Sequence, residues 1–495
     1  MTSFPSPIRP LLLASCACLA LVSAPTRAAD PSGAAPIDLG SRLEPFVDRY
    51  LIESTKGVDL ALHEPRPAGT ALVFDKPWEG VTSAYVTVLQ DGDHYRMYYR
   101  GSSDQGYTLM SKLLPGETVV PPHPNFICMA ESKDGIAWTR PSLGQIAFNG
   151  STDNNIVWTG KDCDNFSPFK DDNPRAPDSE RYKAVGSGVV DNKAVLFGFV
   201  SPDGRHWRKA GTKPIMTDGK FDSLNVVFWD NARQQYTAIY RDFHFGVRAI
   251  KYSSSSDFLN WAPGQWCDFG AAPAEHLYTT ATVPYFRAPH IYFAMPRRFL
   301  PWKTYFPEME AQLPGISDGV FMSSRDGVHW NRFEEAFIRP GLGERNWVHR
   351  ANTPVRGMVP TSPEEISLYV ERNYTFPTDL VERMTVRTDG FVSAHAGAKE
   401  GELITKPLTF TGADLVLNFS TSAIGSVRVE IQDASGKPLP GFALEDSPLL
   451  FGDSIEHTVA WAHTETPKPL SRLKGLPIRL RFVMRDADLY SVRFK

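Results

Sequence analysis

A short pattern that returns at long intervals constrains this chain more than any other feature. "SKDGIAW", "SPDGRHW" and "SRDGVHW" repeat one set of offsets: Ser132, Asp134, Gly135 and Trp138; Ser201, Asp203, Gly204 and Trp207; Ser324, Asp326, Gly327 and Trp330. "SSDFLNW" keeps Ser255, Asp257 and Trp261 without the glycine, and "RTDGFVS" keeps Asp389 and Gly390. The five aspartates stand 69, 54, 69 and 63 residues apart. A unit of this size with no helical periodicity buries its faces by stacking on its own copies. That predicts the blades of a β-propeller.

Each interval carries comparable strands. "SAYVTVLQ", "HYRMYYRG" and "FICMAES" precede Asp134, and "SLNVVFWD", "QYTAIYRD" and "VRAIKYSS" precede Asp257. Three such runs per unit, with a fourth around the Trp, predict five four-stranded blades over residues 71–395. Beyond 395 the repeat stops. "ADLVLNFST" and "SVRVEIQDASGKPLPGF" then read as alternating strands with a Gly/Pro hairpin, predicting a β-sandwich over 396–495. Residues 36–70 read as a lead-in packed on the propeller or the sandwich. The predicted fold is all-β, a five-bladed β-propeller followed by a C-terminal β-sandwich.

The repeat itself reads as a turn clip. Asp-Gly supports positive φ in a tight turn, its carboxylate accepts backbone N–H groups, and the Trp folds back over it. The loss of the glycine in one copy and of Ser and Trp in another suits a clip better than a binding site. The pattern resembles the Asp box of sialidases, one residue shorter between Asp and Gly, which lies on the propeller rim.

The 495 residues carry a net charge of −4 and no basic run, which argues against a nucleic-acid partner. "LLLASCACLALVSA" after Arg9, followed by "TRAAD", reads as a signal peptide over residues 1–29, and no later run is long enough to span a bilayer. The predicted destination is the periplasm or the outside of the cell. "LASC" leaves lipidation at Cys16 as an alternative. Cys128, Cys163 and Cys267 then remain, so at most one disulfide can form. Oligomeric state is not legible.

In a propeller the functional groups gather where the first strands converge on the axis. Acids stand at that position in four units: Asp75 and Glu79, Asp162 and Asp164, Asp222, and Glu275. The fifth offers Arg345, Asn346, His349 and Arg350 instead. Ends of second strands add Arg100, Arg241 with Asp242, Arg297 with Arg298, and Glu371. Trp78, Tyr278 and His276 stand beside them. Converging carboxylates among aromatic rings are what glycoside hydrolysis requires. No HExxH, GxSxG, P-loop or dinucleotide fingerprint occurs, so no cofactor is expected, and a structural calcium stays open.

Five blades, axial acids and a trailing sandwich make the chain similar to glycoside hydrolase families 32, 43 and 68. "FVDRYLIE" also resembles the start of exported family-32-like proteins of planctomycete-type bacteria. "YRDF" resembles the family-32 "RDP" element, with Phe243 in place of Pro. The resemblance implies that Asp242 tunes the acid's pKa and that Glu275 is the acid; blade position alone gives Asp75 or Glu79 as nucleophile or base, and Asp222 or Asp164 as helpers of Asp242. Substrate contacts would come from Arg241, His276, Arg100, Arg298, Trp78, Tyr278, His349 and Glu371. The "WMNDPNG" motif of family 32 is absent. Three rivals stand beside a glycosidase: a non-catalytic carbohydrate-binding propeller, a sialidase-like or uronate-acting enzyme using the arginines, and an adhesion scaffold.

Overall fold

The computed structural model describes residues 35–103, 112, 121–160, 162, 164–310, 313–461 and 469–495. The predicted signal segment, Cys16 and Cys163 lie outside the described residues. Cys128 is buried and Cys267 half-buried.

Five antiparallel sheets follow one another along the chain. Blade 1 runs through Ala84–Asp91, His94–Gly101, Phe126–Ser132 and Ile156–Thr159, and blade 2 through Asp164–Lys170, Tyr182–Val190, Lys193–Ser201 and Arg208–Lys209. Blade 3 comprises Val226–Asp230, Gln235–His244, Val247–Ser255 and Gln265–Trp266. In blade 4 the first strand is split into His276–Leu277 and Val283–Tyr285, and the second into Ala288–Ala294 and Arg297–Leu300. Ile316–Ser324 and Trp330–Ile338 complete that blade. Blade 5 has Thr353–Pro354 and Val359–Pro360 inside, then Glu365–Arg372 and Leu380–Arg387.

The outermost strand of blade 5 is Arg66–Val73, which pairs antiparallel with Leu380–Arg387. The boundary expected at residue 71 therefore falls inside a strand, and the lead-in closes the ring rather than packing on it. The rest of the lead-in belongs to the sandwich: Ile52–Lys56 pairs with Gly401–Thr405, and Val58–Leu62 with Val392–Ala396. No tryptophan clip supplies a fourth strand to blade 5, because the chain's own start fills that position.

Strand burial explains why the blade segments read as nearly continuous apolar runs. All of Val226–Asp230 is buried, and its alternate residues enter different cores. Val227 and Trp229 pack towards blade 2 with Val185 and Phe169, while Val226 and Phe228 pack towards blade 4 with Tyr292 and Val320. A strand covered on both faces has no polar side to show, so period-two patterning fades. The sandwich core is separate. It is built from both halves of the long paired strands Leu415–Asp433 and Ile478–Phe494, including Leu417, Val429, Phe482 and Val492.

The repeat motif forms the expected clip. Asp203 Oδ1 accepts the N–H groups of Arg205 and His206 at 2.9 and 2.8 Å, and Trp207 Nε1 donates to the Gly204 carbonyl at 2.9 Å. The clip also locks neighbouring blades. Tyr98 of blade 1 donates to the same Gly204 carbonyl at 2.9 Å, and Arg96 donates to that of Asp203. Gly204 has φ +73°, and a Cβ there would run into the Arg96 guanidinium and lie 2.7 Å from the Tyr98 hydroxyl. At Gly92, with φ +67°, a Cβ would meet nothing within 4 Å. Gly92→Ala should cost about 1–2 kcal/mol for left-handed backbone alone. Gly204→Ala should cost about 3 kcal/mol or more, since overpacking of a blade interface adds to the same strain. Urea midpoints of the two variants would show that order.

A second lock lies on the axis. Arg356 is buried, and its Nη1 and Nη2 donate to the carbonyls of Pro168 and Val227 at 2.6 and 2.9 Å. One side chain of blade 5 thereby ties the inner strands of blades 2 and 3.

Candidate functional site at the axial mouth

First strands begin, and second strands end, at one face of the ring. Blade 1 pairs Ala84 with Arg100, which brings the Arg100 guanidinium 4.7 Å from the Tyr85 ring centre. Blade 2 opens on Asp164, ion-paired with Arg100 at 3.1 Å and within 3.4 Å of Asn125 Nδ2. Blade 3 supplies Asp222 from the loop before its first strand and Arg241 from the end of its second, 3.8 Å apart. Blade 4 adds Tyr278, whose hydroxyl donates to Asp222 at 3.3 Å. Arg297, Arg241 and Arg248 stand over the Tyr278 ring at 4.1, 4.8 and 5.0 Å. Blade 5 contributes Arg350, which donates to the Tyr374 hydroxyl at 2.9 Å, and Glu371.

Glu371 is buried, and its Oε1 accepts the Val86 N–H at 3.0 Å. That bond holds the bulge in the first strand of blade 1 at which Tyr85 adopts φ +57°. Burial pushes the Glu371 carboxyl up to about 7, against the pull of that N–H and of Arg297 and Arg100. Asp379 behind it is raised well above the usual range by burial and by the charge of Glu371. His349 and His276 are both lowered by burial and by arginines around them, Arg350 for the first and Arg248 for the second. His276 Nδ1 accepts the Arg248 N–H at 3.2 Å.

A raised folded-state pKa makes stability fall with pH. Between 4.5, the ordinary value for Glu, and about 7, the folded protein holds the Glu371 proton while the unfolded chain has released it. Stability should therefore drop as pH rises through that window, by up to about 3 kcal/mol from this residue. Asp379 acts in the same direction. Melting temperatures of the parent should fall between pH 5 and 8, and Glu371→Gln should flatten that slope.

Around the mouth runs an aromatic border. Phe243 lies under Arg241 and Arg248, 5.6 and 5.4 Å from its ring centre. Phe306 packs on the cluster that holds Tyr85 and Tyr374, Tyr305 follows at 5.0 Å, and Trp347 stacks on Tyr305 at 5.9 Å. Trp302 on the same loop is exposed.

Of the residues given catalytic or substrate-contact roles from sequence, Asp164, Asp222, Arg100, Arg241, Tyr278, His276, His349 and Glu371 meet here. Six others do not. Glu275 is ion-paired with Arg332 and, at 3.5 Å, with Arg298, beside a rim cavity lined by Trp266 and Phe245. Arg298 turns away from the axis to Asp318, with bonds of 2.9 and 2.7 Å. Asp242 points to the opposite face of its strand from Arg241 and pairs with Lys251 at 2.8 Å. Glu79 is buried in a bond set with Tyr99 at 2.6 Å and Arg140 at 2.7 and 2.8 Å. Asp75 is exposed beside Lys76, and Trp78 donates to Asn155 at 2.7 Å behind blade 1. Among the described residues no group of three His, Cys, Asp or Glu side chains is placed to hold a metal ion, and no helix is long and apolar enough to cross a membrane.

No family model and no curated relative matches the chain. Among solved structures it is similar to one described as a glycoside hydrolase, at 13% identity over 66% of this chain and 92% of the other, with a TM-score of 0.44. It is also similar to β-1,2-mannobiose phosphorylase from Listeria innocua, at 10% identity over 66% and 97% of the two chains, TM-score 0.43. A third neighbour is an N-acetylgalactosamine deacetylase from F. plautii, at 11% identity over 68% and 97%, TM-score 0.42. The structural neighbours are thus glycoside hydrolases and other carbohydrate-processing enzymes.

Sequence reasoning passed over Arg248, Tyr374 and Asp379. A signal for Arg248 was present: Phe245 and Gly246, both at positive φ, form a two-residue hairpin turn that sets Phe243 opposite Arg248. Asp379 gave none, because a loop acid becomes notable only when packing buries it.

Proposed function

We propose that this chain is an exported enzyme that cleaves glycosidic bonds of an oligo- or polysaccharide at the axial mouth. The observation that carries the reading is that Asp164 and Asp222, with side chains 43% and 69% exposed, open on one mouth around Tyr85, whose ring lies under the Arg100 partner of Asp164 and in the field of Asp222. Glycoside hydrolysis needs one carboxyl group to protonate the leaving oxygen and a second to meet the anomeric carbon or activate water. Asp222 stands open to solvent under the Tyr278 hydroxyl and serves as the proton donor. Asp164, fixed by Arg100 and Asn125, faces the oxocarbenium-like centre. As the C–O bond breaks, the leaving oxygen takes the proton of Asp222. The Asp164 carboxylate then bonds to the anomeric carbon, or takes a proton from the water that does. Phe243, Tyr305 and Trp347 offer stacking faces for sugar rings. The "LLLASCACLALVSA" run supports a periplasmic or extracellular location.

The test is release of product. The purified chain, incubated with a panel of glycans and followed by chromatography, should shorten at least one of them, and Asp222→Asn should not. Binding without product from any glycan would return the protein to the carbohydrate-binding reading.

A further inference from the structure

The axial mouth holds more positive charge than its own acids balance. Five guanidiniums, of Arg100, Arg241, Arg248, Arg297 and Arg350, share it with the carboxyls of Asp164, Asp222 and Glu371. Arg100 is paired with Asp164, and Arg241 approaches Asp222 at 3.8 Å. Among the described residues, Arg248, Arg297 and Arg350 have no carboxylate within 4.0 Å. The Nε atoms of all three are buried with no hydrogen-bond partner, and Arg297 as a whole is 2% exposed.

Arginines in propellers also serve as ties between blades, and Arg356 shows what that looks like here. Both of its Nη atoms end on main-chain carbonyls. Arg297 differs. Its Nε is unpartnered, as is that of Arg356, but only one of its Nη atoms is engaged: Nη1 reaches Thr353 Oγ1 at 2.7 Å and the Arg350 carbonyl at 3.4 Å, and among the described residues Nη2 makes no hydrogen bond. Three guanidiniums gathered over one tyrosine ring repel one another where little water screens them, and burial with the charges of Arg241 and Arg297 pushes the pKa of Arg248 down. Such an arrangement costs stability unless an anion enters it, and forked guanidinium donors suit carboxylate and sulfate oxygens.

We infer that the sugar bound at this mouth carries an anionic substituent, a carboxylate or a sulfate ester, received between Arg241, Arg248 and Arg297 in front of Tyr278. The assignment rests on the glycan-cleaving reading and narrows it to acidic sugars. It also explains why the mouth offers Asp222 and Asp164 at its edge while its floor is cationic: the acids face the bond to be cut and the arginines face the substituent.

Titration calorimetry with matched probes tests this. The probes are oligogalacturonates with their carboxyl-reduced neutral counterparts, and sulfated galactan oligomers with their desulfated counterparts. The parent should bind one acidic member about 10-fold or more tightly than its neutral match, with affinity falling as salt rises. Loss on carboxyl reduction identifies a carboxylate, and loss on desulfation a sulfate. Arg248→Met keeps an apolar stem beside the exposed Phe243, and should cost about 10-fold on the acidic probe and far less on the neutral one. Arg350→Gln, checked by its melting temperature, provides a second variant outside the Tyr278 trio and should weaken acidic binding less. Equal affinity for acidic and neutral members, or turnover confined to neutral glycans, overturns the assignment and leaves the glycan reading standing. Binding of no oligomer in either form overturns both.

Discussion

Asp222→Asn should lower kcat on a natural glycan about 10³-fold, the loss expected when a general acid is removed. The melting temperature should stay within a degree or two of the parent, because a side chain 69% exposed supports little of the fold. The comparison that gives this its meaning uses an aryl glycoside whose leaving group departs without a proton. With such a substrate the first step should be nearly insensitive to Asp222→Asn, whereas Asp164→Asn should be damaging with either leaving group. If both variants lose activity equally on both substrates, the roles assigned to the two carboxylates are wrong.

The second large effect concerns the joint between propeller and sandwich. Asp389 is the aspartate of the most degenerate repeat, and it is buried. It receives Arg287 Nε at 2.9 Å, Ser491 Oγ at 2.8 Å, Asn418 Nδ2 at 3.2 Å and the Tyr285 hydroxyl. Two of these donors come from blade 4 and two from the sandwich. Asp389→Ala should cost about 3 kcal/mol, because a half-buried guanidinium and three further donors lose a buried acceptor together. Urea unfolding should show a lower midpoint, and Asp134→Ala in the exposed clip of blade 1 should cost far less. Equal losses at the two positions would mean that Asp389 is one more clip rather than a joint.

How far the fold and site could be read depended on what each residue's position had to encode. The clip aspartates could be counted because their spacing is set by blade size, and Asp134, Asp203, Asp257 and Asp326 all make the turn. Blade 5 could not be completed by counting, since its outer strand comes from residues 66–73 at the other end of the chain. Two pairs at the axis turned on a single residue of parity. In "YRDF" Arg241 faces the mouth and Asp242 the strand's other side; in "PRRF" Arg297 faces in and Arg298 out. Periodicity tells that neighbours point to opposite faces, but not which face is the axis. Glu275 lies three residues before Tyr278, in a segment whose first strand is broken between Leu277 and Val283. Position relative to an ideal strand therefore misplaces it. Glu371 was visible as an acid at a strand end, yet the burial that raises its pKa comes from blades 1 and 5 meeting, which no local window contains.

The strand Arg66–Val73 has a consequence for how this molecule comes into being. Its partner Leu380–Arg387 lies more than three hundred residues further along the chain. Until that partner exists, the first blade has been made and the ring has an unpaired gap beside it. Closure is thus the last long-range event within the ring, and one with a high loop-entropy cost, so the complete ring should form slowly compared with any single blade. The same topology works in reverse once closure is reached. No blade can peel away from an end, because neither terminus of the ring is free, and opening must first strip a ladder that joins the beginning of the propeller to its end.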